Sequence, residues 1–428
     1  MAQANGAQAD NGLANNGQAG RAQAGRAQAG RPRAAGSGGT ATADVLVIGG
    51  GVIGLAVAWR TAQRGLTVIL ADPDPGRGAS HAAAGMLTPV AEAAYAEREL
   101  FELGRLSLRR YPDFAAELTD LTGTQVGFRQ TGTLQVGYDA DDMAMLGEHA
   151  LLRESFGVTS QRLTARECRQ AEPLLGPAIG GGLLVDDDAS IDPRLLTSAL
   201  LAAVKAAGVR HRRQRVVRLR ADGDRARGAE LADGTVIDAQ QVVLSAGWAS
   251  TAIAGLPPGV APPIRPVKGQ IVRLRATRAT VGASSSPSLL NRTVRGLVQG
   301  SPVYLVPRED GELVLGATQE ELGADLTVTA GGVWQLLRDA RAIVPGITEL
   351  EFAEAVAGLR PGTPDNAPVL GPSRLPGLVL ATGHFRGGVL LAPVTADLIA
   401  DFLVTGTVDQ AAAPFRAQRF GRQEPACR

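Results

Sequence analysis

The strongest constraint on the fold is a strand–glycine–helix–strand segment between residues 44 and 72. Asp44-Val-Leu-Val-Ile48 is a short apolar run, typical of a strand buried on both faces of a sheet. Gly49-Gly-Gly51-Val-Ile-Gly54 follows at once and matches G-x-G-x-x-G. Residues 52–64 have the pattern of a helix, and residues 67–71 form a second buried run that ends before Asp72. Because these elements occur in this order, they predict a βαβ unit that binds a dinucleotide.

Each residue type in this unit has a physical reason. Gly49 permits the tight turn, Gly51 lets the backbone approach a pyrophosphate, and Gly54 allows close packing of helix and strand. The N-terminus of the helix offers free N–H groups and a partial positive charge to phosphates. Asp72 follows at the spacing of a carboxylate that accepts hydrogen bonds from ribose hydroxyls, and it would repel the 2′-phosphate of NADP. A glycine-rich turn in another kind of βαβ unit is the alternative.

Three further segments of small residues or glycine-ended strands lie downstream. A run of small residues spans 78–87, and it would suit an extended cofactor that lies against the backbone or, alternatively, an ordinary alanine-rich helix. Val242–Gly247 and Gly377–Gly383 are apolar strands that end in glycine, and an apolar helix over 389–403 follows the second one. The spacing predicts one cofactor domain assembled from separate parts of the chain.

Composition excludes several other classes of protein. The net charge of +1 over 428 residues argues against a nucleic-acid binder. Two cysteines and four histidines give neither a disulfide framework nor a metal site. Residues 1–43 are a repetitive Ala, Gln, Gly, Asn and Arg segment, for which we predict disorder. Without an apolar signal region or an uncharged stretch long enough to span a bilayer, the sequence predicts no membrane partner and a cytoplasmic location.

The middle of the chain predicts a second, antiparallel sheet. Residues 264–275, 301–307, 311–317 and 352–359 are β-rich, and Asp310-Gly311 is a hairpin signal. Residues 333–344 and 92–122 read as helices, the second interrupted at Pro112.

Six segments together resemble the D-amino-acid oxidase superfamily of FAD-dependent amine oxidases, and within it most closely the glycine oxidases of thiamine biosynthesis. They are Gly49–Gly54, Ser80–Met86, Val267-Lys-Gly-Gln270, Tyr304–Arg308, Gly358-Leu-Arg-Pro-Gly-Thr-Pro-Asp365 and Gly383-His-Phe-Arg-Gly-Gly388. The resemblance runs from about residue 44 to 405. It implies an α/β (α+β, two-domain) fold in which a Rossmann-like FAD-binding domain is interleaved with an antiparallel-sheet substrate domain. The implied limits are 44–125, 170–255 and 357–405 for the FAD-binding domain, 126–169 and 256–356 for the substrate domain, and 406–428 for a C-terminal tail.

The resemblance also implies the residues of the site. Arg360 would bind the substrate carboxylate, as an arginine fork can, Arg386 would contact substrate and flavin, and Tyr304 and Met86 would line the substrate pocket. The alternative roles are a structural ion pair for Arg360 and a brace for the backbone for Arg386. Tyr304 is alternatively an ordinary strand tyrosine, and Met86 alternatively fills the core. The implied cofactor-binding residues are Gly49, Gly51, Ile53, Gly54, Asp72, Ala79, Ser80, Ala84, Gly85, Met86, Val216, Gly247, His384, Phe385, Arg386, Gly387, Gly388, Val389 and Leu390.

The implied reaction is oxidation of glycine, with sarcosine and small D-amino acids as further substrates. Hydride would pass from the substrate Cα to N5 of noncovalently bound FAD, oxygen would become hydrogen peroxide, and the imine would give glyoxylate and ammonia or supply thiazole assembly. This chemistry needs positioning more than acid–base catalysis, so we assign no catalytic residue, treat His384 as a flavin contact rather than a base, and expect a structural role for Lys268. A homo-oligomer such as a tetramer is implied as well. The alternatives are a dehydrogenase with a quinone or protein acceptor, and a noncatalytic FAD-binding protein.

Overall fold

The computed structural model describes residues 41–260, 263–276 and 288–421. Its α-helices are α1 (Val52–Gln63), α2 (Ala79–Ala82), α3 (Arg98–Thr122), α4 (Ala140–Ser155), α5 (Ala165–Ala171), α6 (Pro193–Ala206), α7 (Ala330–Ile343) and α8 (Ala392–Thr405). Its strands are β1 (Ala41–Ile48), β2 (Val68–Ala71), β3 (Met86–Leu87), β4 (Thr133–Gly137), β5 (Gln161–Thr164), β6 (Gly181–Val185), β7 (Ala189–Ser190), β8 (Arg210–Arg212), β9 (Val216–Asp222), β10 (Arg225–Leu231), β11 (Val236–Leu244), β12 (Arg265–Arg275), β13 (Thr293–Val298), β14 (Ser301–Pro307), β15 (Glu312–Gly316), β16 (Glu351–Gly362), β17 (Val369–Pro372) and β18 (Leu378–Thr382). Short 3₁₀ segments cover Gly247–Ala252, Pro345–Glu349, Phe385–Gly387, Gln410–Phe415 and Ala417–Phe420.

The first sheet has a parallel centre in the order β18-β11-β1-β2-β8. Strand β17 adds antiparallel to β18, and the β9–β10 hairpin joins β11 antiparallel. Alternate residues of β1 bury on opposite faces, since Val45 and Val47 pack on the side of α1 while Leu46 and Ile48 belong to the core on the other side. Both faces of the sheet are therefore covered, as the unbroken apolar runs predict.

Helices α1, α3, α6 and α8 cover one face of this sheet, with α1 packed against both α6 and α8. Helix α3 runs without a break through Pro112, so the predicted interruption is wrong. Pro112 is exposed, while Tyr111 and Phe114 on either side of it are buried. Tertiary packing of these rings holds the helix together across the one backbone hydrogen bond that proline removes.

The second sheet has the order β16-β12-β15-β14-β13-β4-β6-β5 and is antiparallel except where β13 lies parallel to β4. It contains all four strands predicted for the middle of the chain. Helix α7 packs against one face of β12, β13 and β14. The other face of these strands lies opposite the loops of the first sheet. Successive parts of the chain contribute strands alternately to the two sheets. This arrangement confirms the predicted α/β fold, in which two sheets are interleaved along the chain.

The sheets and the predicted domain limits differ at two strands. Strand β6 pairs with β4, and β16 pairs along its whole length with β12, so both belong entirely to the second sheet. The predicted limits at residues 170 and 357 instead gave β6, and the second half of β16, to the cofactor domain. Long-range pairing of this kind has no local signal in the sequence.

The two ends of the body also refine the predictions. Strand β1 begins at Ala41 because residues 41–43 continue its pairing with β11, so disorder is wrong for these three residues, and the remainder of the predicted tail lies outside the described residues. In the predicted C-terminal tail, Phe415 is buried in the core beside α8, and residues 422–428 are again outside the described part. None of the helices in the described ranges is long and apolar enough to cross a membrane.

Candidate functional site

The loop between β1 and α1 has the geometry of a phosphate-binding turn. Gly49 has a positive φ of 103°, and a Cβ on Gly54 would overlap the carbonyl oxygen of Gly49. Only glycine lets α1 lie this close to the turn. The N–H of Gly51 has no hydrogen-bond partner among the described residues, while the N–H of Val52 donates to Ser80 Oγ at 3.0 Å. The start of α1 therefore offers a free donor, with α2 tied to its side.

Asp72 stands at the end of β2 and is fixed by the same loop. Its Oδ2 accepts from the Gly50 N–H, and its Oδ1 accepts from the Asp74 N–H, both at 2.7 Å. A carboxylate has about four lone-pair sites, so these two bonds leave acceptor capacity for a ribose hydroxyl. The predicted ribose ligand thus lies next to the predicted pyrophosphate turn.

A cavity of about 920 Å³ extends from this loop to the second sheet. Nearly all of the predicted site residues line it, although they come from regions of the chain that are far apart. Those that line it are Gly49, Gly51, Ile53, Asp72, Ala79, Ser80, Ala84, Gly85, Met86, Val216, Gly247, Tyr304, Arg360, His384, Phe385, Arg386, Gly388 and Val389.

Gly54, Gly387 and Leu390 do not line the cavity but support its wall. Gly54 packs against the turn, and Gly387 donates its N–H to the His384 carbonyl at 2.9 Å. The Leu390 carbonyl accepts from Ser107 Oγ of α3 at 2.6 Å, and its side chain packs in the core. The following helix, α8, begins at Ala392, three residues later than predicted.

The second sheet supplies a row of polar side chains to the cavity. Register places Gln135 of β4 beside Arg295 of β13, and Arg295 beside Tyr304 of β14. Tyr304 alternates with Val303 and Leu305, which are buried on the α7 side, as the strand period predicts. A Cβ on Gly316 of β15 would overlap the Tyr304 ring, so this glycine makes room for the phenol. Burial raises the pKa of Tyr304, which keeps the phenol a neutral hydrogen-bond donor.

Arg360 of β16 lies in the same cavity and is held by the backbone. Its Nη1 donates to the Thr318 carbonyl at 3.2 Å and to the Lys268 carbonyl at 3.4 Å. A Cβ on Gly269 would overlap the guanidinium, so glycine at this position leaves the space that the group occupies. Within the described residues, Arg360 forms no ion pair with a carboxylate. Its positive charge is fixed in place and open to an anionic ligand.

Arg386 differs from Arg360 because it is already paired. Its Nη2 donates to Glu97 Oε2, and its Nε lies 3.8 Å from Glu92 Oε2. The other oxygen of Glu92 accepts from Arg295 Nη1 at 2.6 Å, and Arg295 also approaches the Met86 sulfur at 3.6 Å. Glu92 therefore bridges two arginines at the wall of the cavity.

Glu92 and Arg295 line the cavity although neither is among the predicted site residues. The signal for Arg295 was the Gln299-Gly300 turn, because a two-residue hairpin there sets Arg295 opposite Tyr304. The sequence around Glu92 carries no local pattern that predicts a site residue. Glu92 reaches the cavity because the segment between β3 and α3 brings it beside Arg295 of β13.

Two buried charges fix the backbone just before Glu92. Asp188 accepts from the N–H groups of Val90 and Ala91, both at 3.3 Å. Arg153 donates from the other side, with Nε 3.0 Å from the Val90 carbonyl and Nη2 3.3 Å from the Ala91 carbonyl. Burial raises the pKa of Asp188 to about 7.

Burial disfavours protonation of both histidines at the cavity. His384 is buried, its Nε2 lies 3.0 Å from Thr395 Oγ1, and burial lowers its pKa to about 3. The pKa of His149, on α4, is lowered as well, first by burial and then by the nearby Arg153. Both rings are neutral at physiological pH, so His384 is not placed to act as an acid.

Three features indicate the class of protein: a glycine turn at a helix N-terminus, an acidic residue after β2, and a cavity lined by both sheets. Together they are typical of a dinucleotide-dependent oxidoreductase. The family described as DAO, FAD dependent oxidoreductase, matches residues 44–402. The chain therefore belongs to this family of FAD-dependent oxidoreductases.

Individual relatives agree with this assignment. The chain is 34% identical over 385 residues to the bifunctional protein ThiO/ThiG of Trichormus variabilis, a match that covers 89% of this chain and 56% of the relative, so the chain spans about half the length of that protein. It is 32% identical over 381 residues to the glycine oxidase of Geobacillus kaustophilus, covering 88% of this chain and 97% of the relative. The crystal structure of glycine oxidase from Geobacillus kaustophilus matches with a TM-score of 0.80, over 89% of this chain and 99% of that one. The family match and these similarities confirm that the chain is an FAD-dependent oxidoreductase, as predicted.

Proposed function

We propose that this protein oxidises glycine, and with it sarcosine and small D-amino acids, using FAD and oxygen. The observation that carries the proposal is the guanidinium of Arg360, which faces the cavity without a carboxylate partner among the described residues and lies near Tyr304. An α-amino acid offers the carboxylate that such a fork binds. The relatives named glycine oxidase support the same substrate class.

The residues present suit FAD. The free N–H of Gly51 and the N-terminus of α1 would hold the pyrophosphate, and Asp72 would hold the ribose. Small residues of α2 and the following turn let an extended cofactor lie against the backbone. We propose noncovalent binding, because Cys168 of α5 is buried in the core of the second sheet and does not line the cavity, while Cys427 lies outside the described residues. Bound FAD would accept hydride from the substrate Cα and pass the electrons to oxygen.

The chain's own contribution is positioning and electrostatics. Arg360 would hold the substrate carboxylate and so fix the direction of Cα–H, and orientation of this kind can remove about 7–11 kcal/mol of a barrier. Arg295, Arg386 and Arg360 outnumber the carboxylates of Glu92 and Glu97 around this end of the cavity. The substrate carboxylate would neutralise this excess at Arg360, and we propose that the bound amine loses its proton to solvent without a dedicated base.

The fate of the imine product, the location and assembly of the protein, and its division into domains are proposals as well. The imine would hydrolyse to glyoxylate and ammonia or supply the thiazole of thiamine, which the relatives named ThiO/ThiG suggest. We also propose a cytoplasmic homo-oligomer such as a tetramer, and a division into an FAD-binding domain around the first sheet and a substrate domain around the second.

An anaerobic panel of amines, followed by flavin absorbance, tests the proposal. Glycine should bleach the flavin at least as fast as sarcosine or D-alanine, and admitted oxygen should restore the colour with one hydrogen peroxide per turnover. Glycine turnover that requires an added artificial acceptor and forms no peroxide would favour the dehydrogenase. A flavin that no amine reduces would leave only a noncatalytic role.

A further inference from the structure

Lys268 of β12 is the centre of a buried ion-pair cluster that the proposed reaction does not use directly. Its side chain is 0% exposed. Its Nζ lies 2.7 Å from Asp325 Oδ2, 3.0 Å from Glu320 Oε2 and 3.1 Å from the Thr327 carbonyl. Three acceptors match the three donors of an ammonium group. The hydrogen bonds that Lys268 donates to Asp325 and Glu320 raise its pKa, so the ammonium stays charged.

The partners of Lys268 lie on residues 318–329, which we call the clamp segment. The Lys268 N–H donates to the Glu320 carbonyl at 2.8 Å, and the Glu320 N–H donates back to the Lys268 carbonyl at 3.0 Å. Gln270 makes a second attachment, because its N–H donates to Thr318 Oγ1 at 2.9 Å and its Oε1 accepts from the Thr329 N–H at 2.8 Å. Two alternate residues of β12 therefore fix both ends of the clamp segment.

The same backbone groups hold Arg360. Its guanidinium donates to the carbonyls of Lys268, on β12, and of Thr318, at the start of the clamp segment. Ala317, Thr318 and Gln319 also line the cavity. A shift of the clamp segment away from β12 would therefore remove one acceptor from Arg360 and change the wall beside it.

We propose that Lys268 is a positioning residue for Arg360, acting through its ion pairs with Glu320 and Asp325, which fix the clamp segment. The inference rests on the proposed function, in which Arg360 binds the substrate carboxylate. Lys268 is fully buried while Glu320 and Asp325 are partly exposed, so the two ion pairs join the clamp segment to the interior at β12. Lys268 itself does not line the cavity, which separates this role from direct contact with substrate or flavin.

The test uses the FAD-loaded enzyme, acetate as a carboxylate probe and the variant Lys268→Met. Displacement of a binding group by about 1 Å can cost up to about 100-fold, so we expect the Kd of acetate, read from the flavin spectrum, and the KM for glycine to rise about tenfold or more. The rate at saturating glycine and the FAD content should stay close to those of the original protein. Equal acetate affinity in the two proteins would overturn the proposal.

Glu321→Gln provides a matched control. Glu321 is adjacent to Glu320 and also joins the clamp segment to β12, but its ion pair with Arg265 lies at the surface with both side chains exposed. Surface changes of this kind are usually within about 0.5 kcal/mol, about twofold. Glu320→Gln should weaken acetate binding and Glu321→Gln should not, and this pair also carries the test if Lys268→Met does not yield folded enzyme. Equal effects of the two substitutions would overturn the proposal.

A double-mutant cycle with Arg360→Met distinguishes positioning from general damage. If Lys268 acts through Arg360, Lys268→Met should add almost nothing to the acetate Kd once Arg360 is methionine. Full additivity would assign Lys268 a purely structural role. If Arg360→Met alone leaves acetate binding intact, the proposed function itself fails. If Arg360→Met weakens acetate binding but Lys268→Met does not, only the positioning role of Lys268 fails.

Discussion

Replacing Arg360 with methionine should remove the charge that we propose binds the substrate carboxylate. Arg360 contacts two backbone carbonyls, and within the described residues it has no carboxylate partner, so a substrate carboxylate would be its first anionic ligand. Truncating one member of a hydrogen-bonded charge pair in a partly desolvated site costs about 2–5 kcal/mol. At about 1.36 kcal/mol for each factor of ten, we expect kcat/KM for glycine to fall by about 30- to 5000-fold.

Steady-state peroxide production over a range of glycine concentrations measures this loss. Most of it should appear in KM, because the carboxylate is bound in the ground state as well as in the transition state. Arg360→Lys should be intermediate, since lysine keeps the charge but not the planar fork. Methionine keeps the aliphatic volume, so the flavin spectrum should be unchanged and serves as the control for folding. Normal kcat/KM in a yellow Arg360→Met enzyme would refute the assignment of the carboxylate site.

Three further substitutions or deletions test other parts of the reasoning. Gly54→Val should give protein without FAD, because its side chain would overlap the Gly49 carbonyl, and full FAD content on purification would contradict the tight turn. Burial raises the pKa of Asp188 to about 7, so the folded protein favours the protonated acid over the carboxylate. The stability that protonated Asp188 contributes is fully present below the unfolded pKa of about 3.9 and is lost as the pH rises through about 7. Asp188→Asn should therefore lose that pH dependence, and thermal unfolding of both proteins from pH 4 to 8 would show parallel curves if the reasoning is wrong. Deletion of residues 1–40, which precede β1, should leave kcat and KM for glycine unchanged, and a large loss of peroxide production would show that the segment contributes to activity.

The cofactor end of the site was more predictable from sequence than the substrate end. Gly49, Gly51 and Asp72 lie within one βαβ unit, where strand, turn and helix follow each other along the chain, so local pattern is enough. The partnership of Glu92 with Arg295 joins residues 203 positions apart and depends on strand register and loop closure. Pro112 shows the converse, because a local rule predicted a break that buried packing of Tyr111 and Phe114 overrides.

The two arginines inferred for the substrate end carry the same charge but do not have the same capacity for a ligand. Arg386 donates to Glu97 and lies near Glu92, so an incoming carboxylate would compete with two anions already in place. Arg360 is held only by neutral carbonyls among the described residues, which orient the guanidinium without neutralising it. An arginine that binds a transient anion needs this combination of a fixed geometry and an unpaired charge. From the environment of each arginine, rather than from its sequence motif, we therefore propose that Arg360 binds the carboxylate and that Arg386 shapes the wall and the potential of the cavity.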